Sequence, residues 1–559
     1  MGVGSFVVSI SLLLASGASL RGDGRVERVS LGKVGAVTLA NSCTANAQDD
    51  LGQGIALLHS FFYEEARIIL TELSEREPTC ALAFWGVAMT YFHPLWSPPL
   101  TADVQAAIVA ADRASALPAS GPIEVGLIAS MKAYWHYKPP GAVGTRALPR
   151  EGIPSCHGGA PALNGAAEAF QASLTSLHNR FPDDVEVTSF YALSLLGAAA
   201  KEDRTLTQQR KAAVVLEAMW KKHPNHPGLV HYLIHAYDYP ETARLGLPAA
   251  RAYGAIAPQV PHALHMPSHI YTRLGMWEDE EASNLASLVA AQRWMSHRHP
   301  GATFSDALHD MDYLEYGYLQ QGRYAEADAQ SHQMAAVQEV YPPNEMAAAF
   351  ARAIVPARSV LERERWEEAA HLQVAPIAAW EAYPFVRSFV AYARAIGAAR
   401  LGDVKRAQAA VTELERLERT IPTGPLGYFS KLVASYRLAA RGWISHLEKR
   451  DGDALAQLTE AADSEDALGP HPVSPGPLLP ARELLGDLLL ALGRARDARA
   501  AYEKTLEHSP GRLRSLAGAM RAAKQSGDAK GAAVYAREVL DLTAHGATQV
   551  TEEARKLLQ

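Results

Sequence analysis

Gly493 and Ala498 recur 34 residues later as Gly527 and Ala532, and this period constrains the chain more than any other feature of its sequence. A fixed period of this length marks a unit that cannot bury its apolar face alone and must stack on copies of itself. In a unit beginning at 479, Leu485, Gly486, Leu489, Gly493, Ala498 and Pro510 occupy positions 7, 8, 11, 15, 20 and 32. Small residues let two helices cross closely, the glycine at 15 turns the chain between them, and the proline ends the second helix. The same frame puts Gly54, Ala66 and Pro78 at positions 8, 20 and 32 of a unit beginning at 47. Leu274-Gly-Met-Trp277, Gln321-Gly-Arg-Tyr324 and Leu401-Gly-Asp-Val404 repeat the turn, and Arg365-Trp366 is a weaker copy.

From about residue 46 the chain is rich in Ala and Leu, with apolar residues at i, i+3, i+4 spacing, so it reads as nearly all helix. The 34-residue frame resembles the tetratricopeptide repeat family over most of residues 47–546, most closely at 479–546. The resemblance implies an all-α fold, a right-handed α-solenoid of helix pairs, interrupted by Gly/Pro-rich insertions. Its expected parts are a signal peptide at 1–20, N-terminal repeats at 47–115, an insertion at 116–163, and central repeats at 164–345. Further helices follow at 346–468, then a Pro-rich linker at 469–478 and C-terminal repeats at 479–559. Both Gly/Pro stretches read either as surface insertions or as loops covering a groove.

The 559 residues carry a net charge of −7 and 48% hydrophobic residues, enough for a large core and no basic excess for a phosphate backbone, so no nucleic-acid partner is expected. The apolar run Phe6–Ala15 is too short to span a bilayer and resembles an export signal, although no Lys or Arg precedes it. The expected location is periplasmic or extracellular, with the cytoplasm as the alternative and no membrane span. Three cysteines, Cys43, Cys80 and Cys156, give no disulfide framework, leave their pairing open, and leave at least one thiol unpaired.

Eight of the 21 histidines fall between His231 and His309. His231 and His235 are four apart, as are His265 and His269, and side chains so spaced share one face of a helix. The second pair lies 34 residues after the first, so equivalent positions on neighbouring helices bring four imidazoles together. Counted back from Gly275, His262, His265, His269 and Arg273 take positions 2, 5, 9 and 13; the next unit puts His309, Asp312 and Tyr316 at 2, 5 and 9, and His59 holds position 13 of the first. Imidazole suits copper, iron and zinc, so His231, His235, His262, His265, His269, His309, Asp312 and His59 are candidate metal ligands. Asp238 and Asp310 are candidate acceptors that would fix histidine tautomers.

Walker A, His-Glu-x-x-His, Gly-x-Ser-x-Gly and Gly-x-Gly-x-x-Gly patterns are absent. In tetratricopeptide proteins positions 2, 5, 9 and 13 line the concave groove. The resemblance therefore favours a solenoid binding a protein, peptide or small molecule there, with Arg273 and Tyr316 as groove contacts and a histidine metal site beside them. The alternative is a metal-dependent enzyme on the same scaffold, using copper, iron or zinc, with oxidoreductase chemistry among its options. The segments around His231 and His265 also resemble those of a group of exported bacterial repeat proteins, to which no activity attaches.

Overall fold

The computed structural model describes residues 28–95, 101–138, 165–199, 203–343, 345–421 and 426–559. The expected signal segment, Cys156 and residues 139–163 of the expected insertion lie outside these. The described residues form successive helix hairpins, the first from Gln48–His59 with Tyr63–Arg76 and the last from Leu513–Gln525 with Ala529–Leu542, followed by a capping helix at Gln549–Leu558. The helix Pro122–Trp135 falls within the stretch expected as an insertion and pairs with Ala166–Arg180. One two-residue parallel pairing, Thr303–Phe304 with Val340–Tyr341, departs from the all-helical pattern.

The glycines at position 15 do what the spacing requires. Gly275, Gly322, Gly402, Gly493 and Gly527 all have φ between +67° and +82°, the left-handed conformation that stops one helix and turns into the next. Three hairpins use a non-glycine residue there: Phe61, Glu364 and Lys449, with φ of 53°, 55° and 63°. The small residue at position 8 faces the partner helix. A Cβ on Gly54 would stand 2.6 Å from Leu70, and one on Gly486 would stand 2.8 Å from the Tyr502 ring.

Hairpins distant in sequence also meet, because the solenoid curls back on itself. Trp277 donates its indole N–H to the Gly511 carbonyl at 3.1 Å, and a Cβ on Gly275 would lie 2.6 Å from the Pro510 carbonyl oxygen. Gly275→Ala therefore combines a left-handed backbone with a clash against main chain, and is expected to cost about 2 kcal/mol or more. Gly493→Ala, at φ +73° with open space around it, is expected to cost about 1 kcal/mol; urea denaturation of the two variants measures the difference. At the other end, Arg298 and Trp294 both donate to the buried Glu65 carboxylate, at 2.5 and 2.7 Å. That pins the first hairpin to the long helix Trp277–Arg298.

The extended segment before the first hairpin is tied down too. Leu31, Val34 and Leu39 are buried, and Ala36 donates its backbone N–H to the Asn225 carbonyl at 3.0 Å. The expectation of no disulfide support is corrected here: Cys43 and Cys80 form a disulfide across 37 residues. It anchors the segment to the start of the helix Ala81–Met89. Closing a loop of that length is worth about 3–4 kcal/mol, so paired serine substitutions should lower the urea midpoint accordingly, and dithiothreitol should do the same to the parent.

Candidate metal centre

The helix Pro227–Tyr237 opens with proline at its first position and His226 as N-cap, whose Nδ1 accepts the Leu229 N–H. It runs through the interior, so His231 is wholly buried while His235, one turn on, is partly exposed. In the following hairpin Pro267 cannot continue the hydrogen-bond ladder, and the chain forms two short helices, Pro261–His265 and Pro267–Leu274. His265 ends the first and His269 lies in the first turn of the second, yet their rings still meet. His309 comes from the next inner helix, Ser305–Gln320.

The four repeat-related imidazoles do not form one cluster. They divide into two triads, each taking positions 5 and 9 of one unit and position 2 of the next. In the first, His231 Nε2 lies 3.1 Å from both His235 Nε2 and His262 Nε2. In the second, His265 Nε2 lies 3.0 Å from His269 Nε2, and the His309 ring centroid is 4.7 Å from that of His265. Ring nitrogens within each triad all lie within 4.8 Å of one another. The triads adjoin, with His262 and His265 ring centroids 6.3 Å apart. Position 2 completes each set because it opens the next inner helix, beside the middle of the preceding one.

The opposite edges of these rings are held by acceptors. His231 Nδ1 donates to the His59 carbonyl at 2.6 Å and His269 Nδ1 to Asp238 Oδ2 at 2.9 Å. His265 Nδ1 lies 2.8 Å from both Asn284 Oδ1 and Asp310 Oδ1. A carbonyl or carboxylate only accepts, so the Nδ1 atoms carry protons, and each ring in its neutral form presents a bare Nε2 lone pair. When both rings are neutral, His265 and His269 aim two lone pairs at each other across 3.0 Å, an arrangement that a cation between them makes favourable; a protonated His265 instead donates its Nε2–H to His269. Two nitrogens each about 2.0 Å from one ion at a tetrahedral angle stand about 3.3 Å apart, close to the spacing here. Burial keeps His231 neutral by lowering its pKa to about 3, and holds His262 well below its usual value. Burial also depresses His269 against the pull of Asp238, whereas at His265 the Asp310 carboxylate outweighs burial and lifts the imidazole above its usual value.

A third buried group, His59 with Glu186 and His226, has comparable spacing and different chemistry. Glu186 receives His59 Nε2 and His226 Nε2, each at 2.8 Å, while His59 Nδ1 lies 2.9 Å from the Tyr232 hydroxyl. Burial pushes the Glu186 carboxyl up, but the two imidazoles more than compensate and bring it to about 2. Donors and acceptors match one another here, as in a structural hydrogen-bond network. The His59 ring therefore lies outside both triads, and only its backbone carbonyl reaches them.

Asp312 is also apart from the triads, because its carboxylate accepts from the buried Arg358 at 2.6 Å. Arg273 is buried, bound to Asp238 Oδ1 at 3.0 Å and to the Pro475 carbonyl at 3.3 Å. Tyr316 is buried as well, accepting from Arg512 at 3.2 Å, with Gly476 against its hydroxyl. Tyr313, against the second triad, donates to the Pro472 carbonyl at 3.3 Å. The Pro-rich segment expected as a linker thus packs its backbone against Arg273, Tyr313 and Tyr316, two of them expected ligand contacts.

Phe61 was not legible as a site residue. Its ring packs on His231, His235 and His262 at centroid distances of 4.4, 5.8 and 5.7 Å. The available signal was an aromatic residue at a turn position that usually holds glycine.

No family model matches this chain, and no curated protein is similar to it. Among solved structures it aligns with a human IFIT1 dimer with PPP-AAAA at 13% identity, covering 88% of this chain and 89% of that one, with a TM-score of 0.35. Yeast Tom70 aligns at 11% identity over 92% and 94% of the two chains, with a TM-score of 0.32. The Cut9–Hcn1 complex aligns at 12% over 92% and 90%, with a TM-score of 0.31. The hairpins of this chain, with their left-handed turn residues and close helix crossings, define its architecture. It is a tetratricopeptide-type helical solenoid. No helix among its described residues is long and apolar enough to cross a membrane.

Proposed function

We propose that this solenoid is a metalloenzyme holding two adjacent copper ions, one on His231, His235 and His262 and the other on His265, His269 and His309. The observation that carries this reading is the facing of His265 and His269 Nε2 across 3.0 Å while both Nδ1 atoms are engaged by acceptors. An all-imidazole set with no carboxylate among the nearest ligands favours copper over iron, magnesium or calcium. Three protein ligands leave a coordination position for a reactant, the pattern of catalytic rather than structural sites. Carboxylate and carbonyl partners on the far ring edges are the supports that metal-bound histidines use. The reading of a peptide-binding scaffold loses support from Arg273 and Tyr316, which are engaged by the chain's own segment. The Cys43–Cys80 bridge supports a working location outside the reducing cytoplasm.

Elemental analysis tests this directly. Protein purified from copper-supplemented cells and dialysed against a weak chelator is expected to retain about two copper atoms per chain. Retention of none, or of stoichiometric zinc instead, overturns the assignment.

A further inference from the structure

A cleft opens beside the first triad. Among its walls are Leu95, Gln209, His235, Asp238, Tyr428 and Pro472, so it is bounded on one side by early hairpins and on the other by the Pro-rich segment. His235, the only triad member that is not fully buried, is also the only one that lines it. The cleft therefore approaches the first metal position rather than the second. Its walls mix apolar and aromatic residues with the charged Arg204 and Asp238, and Gln209 adds a buried amide. Gln209 is buried and donates its amide N–H to the Tyr239 hydroxyl at 3.1 Å, while its Oε1 has no hydrogen-bond partner in the protein. A buried amide oxygen left in this state costs about 1–3 kcal/mol, a cost that a ligand bearing a donor removes.

We infer that this cleft seats a small organic molecule with an apolar body and an O–H or N–H donor, which Gln209 Oε1 accepts while the molecule faces the ion on His231, His235 and His262. The inference rests on the two-copper reading and adds to it a route, a ligand class and a specificity-determining residue. A molecule of the same shape lacking the donor leaves Gln209 unpaired, so the site discriminates by hydrogen bonding more than by size. The Pro-rich segment forms the outer wall: His471 lines the same cleft, its ring 4.8 Å from that of Tyr428 and 4.9 Å from that of Phe429.

The test uses full-length copper(II) protein, with azide as a spectroscopic probe of the open position and two organic competitors. Ala199→Trp, on the cleft wall and outside both triads, should retain two copper atoms and weaken azide binding at least tenfold. Benzyl alcohol should displace azide from the parent at about one-tenth the concentration that benzyl methyl ether requires. Gln209→Leu should abolish that preference, and Gln209→Glu should restore part of it. Copper-loaded protein whose azide affinity ignores Ala199→Trp, or whose parent form does not distinguish alcohol from ether, overturns the inference while the two-copper reading stands. A protein that takes up no copper overturns both.

Discussion

Alanine at both His265 and His269 should leave copper-equilibrated protein with one ion per chain instead of two, and alanine at both His231 and His235 should remove the other. Each pair supplies two of three ligands, and the remaining imidazole, His309 or His262, is a weak site alone. The supporting residues act more gently. Asp238→Asn keeps an acceptor for His269 Nδ1 without the charge and should weaken the second ion about 10- to 100-fold, read by competition with a chromophoric chelator. The third histidine group gives the control. Because Glu186 satisfies His59 and His226 within the protein, His226→Gln should lower stability and leave the copper count at two. A loss of copper from His226→Gln equal to that from the triad variants would show that the two kinds of cluster had been wrongly separated.

The second large effect concerns the closure of the solenoid. Arg512 is wholly buried, donates to Glu483 at 2.7 and 3.0 Å, and also reaches Glu362 and Tyr316. Arg512→Ala strips the two buried carboxylates of their nearest cation, leaving Arg514 3.5 Å from Glu483, and should cost about 3–5 kcal/mol, with the last hairpins freed from the helix Ser305–Gln320 and open to protease near Gly511. At the rim, Arg416 with Glu413 is half-exposed; Arg416→Ala should change stability by less than about 1 kcal/mol. Equal urea midpoints for the two variants would mean that the buried network does not hold the closure.

The repeat was legible because its determinants are local. A turn glycine, a small residue at a crossing and a terminating proline act within one hairpin, and their spacing survives in the sequence. Phe61, Glu364 and Lys449 escaped it because a packed hairpin can hold a non-glycine residue in the left-handed region. The paired histidines were legible for the same local reason, being one helical turn and one repeat apart. Their division into triads was not, since it depends on which inner helix abuts which. Asp312 fitted the frame as a ligand, but Arg358, 46 residues on, claims it. His59 belongs beside Glu186 only once the curl of the solenoid brings the first hairpin against the fourth and fifth, and no periodicity encodes that contact. Arg273 and Tyr316, expected as groove contacts, are engaged by the chain itself, Arg273 by Asp238 and the Pro475 carbonyl and Tyr316 by Arg512.

The rule that each triad draws positions 5 and 9 from one unit and position 2 from the next makes the ligand set transferable. Duplicating one hairpin would copy a triad along with it, in register with those already there, so a single triad can become a row without any new geometry. The row has a built-in terminus. In the unit after the second triad, positions 5 and 9 are Asp312 and Tyr316, and Arg358 lies against both, 2.6 Å from the carboxylate and 5.1 Å from the ring centroid. A guanidinium stands where the series would place its next triad, so the row of triads ends on a positive charge that is covalently the protein's own.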